Sequence, residues 1–384
     1  MKIGFDISQT GRNRAGCGYF SYSLIQTLCE IDNHNQYILY PYFGNSFWDS
    51  NILENKEKFN SANCTIKKIV RTKRDCFEFF SQLPADAEYK MGNPDIVHAN
   101  NYSCPGKFKV SKVVYTLHDL HFLEHPEFST EANRWNCFNG VYDAANHADF
   151  ILSVSKYSLT KFLDIFPHFP PERIKVVYPA SRFKLNDQNN EGNHPSTNLA
   201  PQLFLLAVGT LEPRKNLRRL LNAYAVYATN KDDALPLVFA GGKGWLEDDL
   251  EKFVHNLDLS TKVKFLGYVS DEELSWLYGN CLAFIYPSLY EGFGLPVLEA
   301  MSHGAAVVAS NVTSIPEVGG EAVHYIDPLE EKEIVDAIRL LVGNSDYRQE
   351  LKKNAFIQSQ NFSWEKCATE VIEIYNLLMT LPKR

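Results

Sequence analysis

Residues 286–300 read YPSLYEGFGLPVLEA. The stretch leaves an apolar run, turns through Gly292 and Gly294, and enters a helical pattern at Leu295 and Pro296. Proline is favoured in the first turn of a helix, and glycine lets backbone amides approach a ligand closely. A glycine turn that opens a helix is an anion site, because the first amides and the helix dipole both favour negative charge. Glu291 and Glu299 flank it, and a carboxylate accepts hydrogen bonds from neighbouring hydroxyls such as those of a ribose or a hexose. The competing reading is a helix-capping turn with two solvated glutamates, and physics alone leaves both open.

Working outward, the second half of the chain repeats this strand-turn-helix rhythm. Apolar runs at 203–208, 237–240, 263–266, 283–286, 306–309 and 322–326 alternate with helical patterns at 217–228, 248–256, 271–279, 295–302 and 330–341. The first half has its own strand candidates at 2–7, 36–43, 65–70, 95–99, 112–117, 150–153 and 175–178. A helix beginning near Gly18 carries Tyr19, Tyr22, Ile25, Leu28 and Cys29 on one face. Continuous Val/Ile/Leu runs are the mark of parallel strands buried on both faces. Between the halves, residues 185–202 (LNDQNNEGNHPSTNLAPQ) are polar and aperiodic, and read as a linker.

The expected class is α/β, with two Rossmann-like, doubly wound parallel-sheet domains. Such sheets bind ligands beyond the carboxyl ends of their strands, so two of them facing each other would form a cleft. A last amphipathic helix over 363–381 begins at Ser363, a good N-cap residue.

The 384 residues suffice for two such domains. A net charge of −8 argues against a nucleic-acid binder, which carries a basic excess. The eight cysteines form no Cys-x-x-Cys pair and several lie in apolar runs, so they are expected to be reduced, buried thiols. The opening MKIGFDIS lacks a signal pattern, and no apolar run approaches the roughly 18 residues that span a bilayer. The expectation is a cytoplasmic protein that at most touches a membrane surface.

Four further motifs bear on chemistry. In GTLEPRKN, Arg214 and Lys215 follow a strand end, where two cations would neutralise a diphosphate; the plain alternative is a solvated basic pair. AGCGYF holds Gly16 and Gly18 ahead of a helix but places Ser21 where the dinucleotide fingerprint needs a third small residue, which disfavours a nicotinamide enzyme. His118, His121 and His125 resemble a metal cluster, but His118 ends a strand, where this spacing does not converge. Lys67, Lys68, Arg71, Lys73 and Arg74, followed by Phe77, Phe79 and Phe80, suit an anionic lipid surface or, equally, a solvated charge run beside core aromatics.

Taken together with AGCGYF, YTLHDL, ILSVSKYS, LAVGTLEPRKN, LVFAGGKGW, FLGYVSDEEL and FSWEKCATEVIEIY, the 286–300 stretch resembles the Glu-x7-Glu signature of family 4 of the retaining glycosyltransferases, over nearly the whole chain. The resemblance implies the GT-B fold. It implies an N-terminal acceptor-binding domain at 1–185, a C-terminal donor-binding domain at 200–365, and a helix at 366–384 that returns to the first domain. It implies a retaining transfer of a glucose-type or mannose-type hexose, from UDP-glucose or GDP-mannose, to a glycan or lipid-linked glycan hydroxyl in bacterial polysaccharide biosynthesis.

In that family Glu299 would hold the ribose and Glu291 the donor sugar. Phe293, Gly294 and Leu295 would present backbone to the sugar and distal phosphate. His118 would reach the sugar, Gly16 in the Gly16-x-Gly18 loop would approach the phosphate, and the turn near Val269 would meet the base. Many members carry arginine where this chain has Thr210, so Arg214 and Lys215 would take the cationic role. No Asp-x-Asp occurs, so no metal or other cofactor is expected. The alternatives are a nucleotide-sugar 2-epimerase of the same fold and a noncatalytic nucleotide-sugar-binding protein.

Overall fold

A computed structural model describes residues 1–11, 14, 16–44, 59, 61–183, 198–229, 231–247 and 249–384. Thirteen of the linker's residues, 185–197, and the side chain of Lys73 lie outside that description. The chain forms two compact units. One comprises Met1–Glu124, Glu131–Ala180 and Phe362–Arg384, the other His125–Thr130 and Ser181–Asn361.

The first unit is built on β1 (Lys2–Asp6), β2 (Gln36–Tyr40), β3 (Cys64–Ile66), β4 (Ile96–Ala99), β5 (Lys112–Leu117), β6 (Phe150–Ser153) and β7 (Ile174–Val176). They pair in the order β3-β2-β1-β4-β5-β6-β7, all parallel, with Ile3 of β1 between Tyr37 and Ile96. The second unit repeats the plan with β8 (Leu205–Val208), β9 (Leu237–Ala240), β10 (Val263–Gly267), β11 (Ala283–Tyr286), β12 (Val307–Ser310) and β13 (His324–Ile326), in the order β10-β9-β8-β11-β12-β13. Each order reverses direction beside its first strand, between β1 and β4 and between β8 and β11. Ligands of doubly wound sheets bind at that switch point.

Burial explains the strand assignments. Every residue of β4, β6, β9, β11 and β12 is buried, as a sheet covered by helices on both faces requires. Strand ends shift where the backbone turns away. Ala322 closes a turn onto Gly319, so β13 starts at His324 rather than at 322. In the second unit, Leu217, Leu220, Leu221 and Tyr224 of the Leu217–Ala228 helix pack with Ile334, Ile338 and Leu341 of the Glu331–Gly343 helix on the sheet. In the first unit, the Trp364–Thr380 helix buries Val371, Ile374, Tyr375 and Leu378, and Ser363 caps it by accepting from Lys366 N at 3.1 Å.

The expectation of eight reduced cysteines needs correction. Cys29, near the end of the Gly16–Ile31 helix, is bonded to Cys64, the first residue of β3. Their Cα atoms are 6.6 Å apart, within reach of a disulfide, although the residues are 35 positions apart in sequence. The other six are free thiols, five of them buried. Among the described residues no helix is long and apolar enough to cross a membrane.

Candidate active site

The second sheet's switch point is occupied by a knot of charge. After β8 the chain passes Gly209, at a φ of +146°, and the partly buried Thr210. It then makes a short 3₁₀ turn at Pro213–Lys215 that ends on Asn216 in the left-handed conformation. The Asn216 amide donates to the carbonyls of Pro287 (3.0 Å) and Pro328 (2.7 Å), which fastens the turn to the ends of β11 and β13. After β11 the loop 287–294 ends at Gly294, at a φ of +105°, where the Leu295–Ser302 helix begins with proline in its first turn.

These two segments bring Arg214, Lys215 and Glu291 together. Lys215 Nζ donates to Glu291 Oε1 at 2.6 Å and to Tyr286 Oη at 2.6 Å. Arg214 reaches Glu291 Oε2 at 2.8 Å and Glu212 at 2.7 Å. The hydroxyls of Ser288 (2.6 Å) and Tyr286 (2.8 Å) also donate to Glu291 Oε1. Glu291 is 6% exposed and Lys215 7%. Burial pushes the Glu291 carboxyl upward, but Arg214, Lys215 and the donated hydrogen bonds outweigh it and hold it down to about 2. Burial and the neighbouring Arg214 pull the Lys215 ammonium below its ordinary value, against the opposing pull of Glu291 and Glu212.

Two carboxylates and two cations sum to zero, and each cation is paired with at least one carboxylate. An ammonium has three N–H groups. Two of those on Lys215 are engaged by described residues, which leaves one for a ligand oxygen.

Glu299 lies on the same helix and is also buried, at 4% exposure. Its carboxylate contacts Arg182 Nε at 3.1 Å and accepts from Tyr278 Oη at 3.1 Å. Burial raises its pKa, partly offset by Arg182 and Tyr278. Arg182 also lies 3.4 Å from Asp271, at the head of the helix that follows Val269. Phe293 and Gly294 are buried, whereas Leu295 and Val269 are partly exposed.

In the first unit His118 directly follows β5, and its Nε2 meets the Asn100 carbonyl at 2.7 Å. Desolvation lowers its pKa, so the neutral ring donates from Nε2 and keeps Nδ1 as an acceptor. Asn100 is held in turn. Thr116 Oγ1 donates to its side chain (3.0 Å) and meets His98 Nε2 (2.9 Å), and His98 Nδ1 meets Tyr375 Oη (2.5 Å). Burial and the nearby His118 pull His98 down to about 3, so this chain of groups is uncharged.

Gly16 opens the Gly16–Ile31 helix in open space, whereas a Cβ on Gly18 would stand 2.4 Å from the Gln9 carbonyl, so Gly18 is there for packing. His121 pairs with Asp119 and His125 with Glu127, and among the described residues no group of three or more His, Cys, Asp or Glu is placed to hold a metal.

Of the basic stretch, Arg74 pairs with Glu78 on an exposed helix face and Lys68 lies over the Tyr42 ring. Phe79 and Phe80 enter the core, and Phe77 is exposed. Sequence reasoning missed Glu212, Asn216, Tyr286, Ser288, Arg182 and Tyr278. Only the position of Asn216, one residue before a helical pattern, offered a signal.

Known proteins resemble this chain in sequence and fold. A model of glycosyl transferases group 1 matches residues 190–358, and one of glycosyltransferase family 4 matches residues 46–180. The O-antigen chain mannosyltransferase B of Escherichia coli is 35% identical over 286 residues, covering 74% of each chain. The serotype-specific mannosyltransferase WbdA of Escherichia coli is 30% identical over 315 residues, and the match spans only 37% of its length. Among solved structures, Anabaena Alr3699/HepE in complex with UDP and glucose superposes with a TM-score of 0.73 at 20% identity, covering 98% of this chain and 99% of that one. A sucrose-phosphate synthase from Thermosynechococcus elongatus superposes with a TM-score of 0.73 at 18% identity, covering 99% of both. These likenesses give the two-domain GT-B fold. With a relative so similar over about three quarters of both chains, and family 4 and group 1 models matched in succession along the chain, the chain belongs to the family 4, group 1 glycosyltransferases and is a glycosyltransferase.

Proposed function

We propose that this enzyme transfers mannose, with retention of anomeric configuration, from a nucleoside-diphosphate mannose to a hydroxyl of a glycan acceptor in bacterial polysaccharide assembly. The observation that carries this reading is the network of the buried Glu212, Lys215 and Glu291 with the partly buried Arg214 at the second sheet's switch point, with a Lys215 N–H left over. A departing diphosphate needs fixed positive charge in a dry site, where such charge is worth far more than in water. Arg214, Lys215 and the start of the Leu295–Ser302 helix supply it, and Glu291 keeps the two cations together. No Asp-x-Asp is present, so on this reading the transfer needs no metal.

Glu299 would bind the ribose, with Phe293, Gly294 and Leu295 beside the sugar and phosphate, Thr210 and Gly16 near the phosphate, and Val269 near the base. His118, with Nδ1 as acceptor, would take a hydrogen bond from a sugar hydroxyl. The proton of the attacking acceptor would pass to the leaving diphosphate. The mannosyltransferase names of the relatives favour mannose over glucose, and hence GDP-mannose as the donor to test before UDP-glucose. A lipid-linked acceptor at the cytoplasmic face of a membrane would meet Lys67, Lys68, Arg71 and Arg74, with Phe77 as the exposed aromatic.

The test is a metal-free panel. Thermal shift with GDP, UDP, GDP-mannose and UDP-glucose reads binding, because a ligand of the folded state raises the melting temperature. Product analysis with the donor that binds reads transfer. Stabilisation by GDP and GDP-mannose together with an α-mannosylated product is the expected result. Turnover only with UDP-glucose, an absolute need for a divalent ion, or an epimerised nucleotide sugar as product would overturn it.

A further inference from the structure

The first unit has an open groove of about 710 Å³, lined by Phe122, Leu123, Glu131, Arg134, Trp135 and Phe138. That volume is within the range of small-molecule sites, which are mostly apolar with a few placed polar groups. One wall is the Glu131–His147 helix. Its inner face buries Cys137, Gly140, Val141, Ala144 and Ala145, mostly small residues, while Trp135 and Tyr142 fall on the outer side. Trp135 is 66% exposed and Tyr142 50%, and Phe138 stacks on Tyr142 at 5.7 Å. Burial of apolar surface does not account for an indole so placed.

The polar groups of the groove narrow the choice of ligand. Arg134 is half-buried, and neither it nor Glu131 makes a hydrogen bond or ion pair with a described residue. One cation and one anion cancel, so the lining attracts neither a phosphate-rich nor a basic partner. An uncharged polyol fits: its C–H face lies against the indole, whose ring face is electron-rich, and its hydroxyls donate to Glu131 and accept from Arg134. The wall of the groove is two ring contacts from His118. The Phe122 ring is 6.0 Å from that of Tyr102, and the Tyr102 ring is 6.2 Å from that of His118.

We propose that this groove is a subsite for the acceptor glycan. It would hold neutral hexose residues on the far side of the sugar that receives the transfer, with Trp135 as the stacking platform and Arg134 and Glu131 as hydroxyl partners. Its catalytic relevance rests on the transferase reading above, whereas its affinity for glycan is measurable without any donor.

Calorimetric titration of the full chain with a linear mannose tetrasaccharide, without nucleotide, gives the first readout. Trp135→Ala and Arg134→Ala are each expected to weaken binding by about tenfold, the loss of one good contact, while Trp135→Phe retains most of it. In the transfer assay, KM for the tetrasaccharide rises by a similar factor in Trp135→Ala, while kcat, KM for a monosaccharide acceptor and nucleotide-induced thermal shift stay at wild-type values. Circular dichroism checks that the variants fold. Unchanged tetrasaccharide affinity in both alanine variants overturns the subsite. So does a loss confined to binding of phosphatidylglycerol vesicles, which would make the patch a lipid contact. Glycan binding that depends on Trp135 in a protein that transfers no sugar keeps the subsite and removes the transferase reading. Efficient transfer with a KM independent of acceptor length removes the subsite and keeps the transferase.

Discussion

The two sheets share one strand order but are furnished in opposite ways at their switch points. The second places two cations and two carboxylates around the ends of β8 and β11, each carboxylate within ion-pair distance of Arg214 or Lys215. The first places a chain of uncharged groups, Tyr375, His98, Thr116 and Asn100, behind the uncharged His118, with one buried carboxylate, Asp6 at the end of β1, accepting from the Asn100 amide. Topology supplies the location in both cases; the residues that follow the strand ends decide the chemistry. A charged network is suited to polarised phosphates, and a neutral relay to hydroxyls.

Four measurements break or sharpen that contrast. The largest expected effect is on Glu291→Gln, which leaves the buried Lys215 and the partly buried Arg214 without their shared carboxylate and is expected to cost roughly 3–5 kcal/mol in urea unfolding. Its pH dependence has a definite sign. The native carboxyl is held below 4.5, at about 2, so its stabilisation is complete above pH 4.5 and is lost as pH falls from there towards 2. The variant's stability curve should be flatter across that interval, and a parallel curve would show that the pair is not coupled.

Next is Lys215→Ala, expected to lower kcat by about 10²–10³ if it stabilises the leaving group; a steady-state rate within a few-fold of wild type would end the claim that charge is the second unit's contribution. Tyr375→Phe removes a partner of the buried His98 and should cost about 1–3 kcal/mol in chemical denaturation. A negligible change would mean that the neutral relay is not held from the last helix. The smallest is His118→Ala, expected to reduce kcat by about tenfold, which is close to 1.4 kcal/mol, with nucleotide thermal shifts unaltered. A change in nucleotide binding instead would blur the division between the units.

The sequence was most readable where turn chemistry is dense. The strand at 283–286 and the helix at 295–302 fall as expected, because glycine and proline punctuate the loop between them. Arg214, Lys215 and Glu291 were recognisable individually, but the expectation set the glutamate on the sugar and the cations on the phosphate. Their union depends on β8 lying beside β11, and strand order leaves no mark in sequence across more than 70 residues. Arg182 was invisible for another reason: it stands just before the polar linker and reads as loop. The Glu131–His147 helix was not singled out, since a buried face of Gly, Ala and Cys gives little periodic signal. Gly18 has a packing role that its motif did not signal, because a Cβ there would meet the Gln9 carbonyl.

The route of the chain through the two units has a consequence in time. Ribosomes deliver residues in order, and domains generally close as they emerge, amino-terminal first. Here the first unit needs residues 362–384, and His98 waits for Tyr375, whereas most of the second unit is the continuous stretch 181–361. Synthesis therefore completes the downstream unit while the upstream one still lacks a helix, and the half of the enzyme that starts first finishes last.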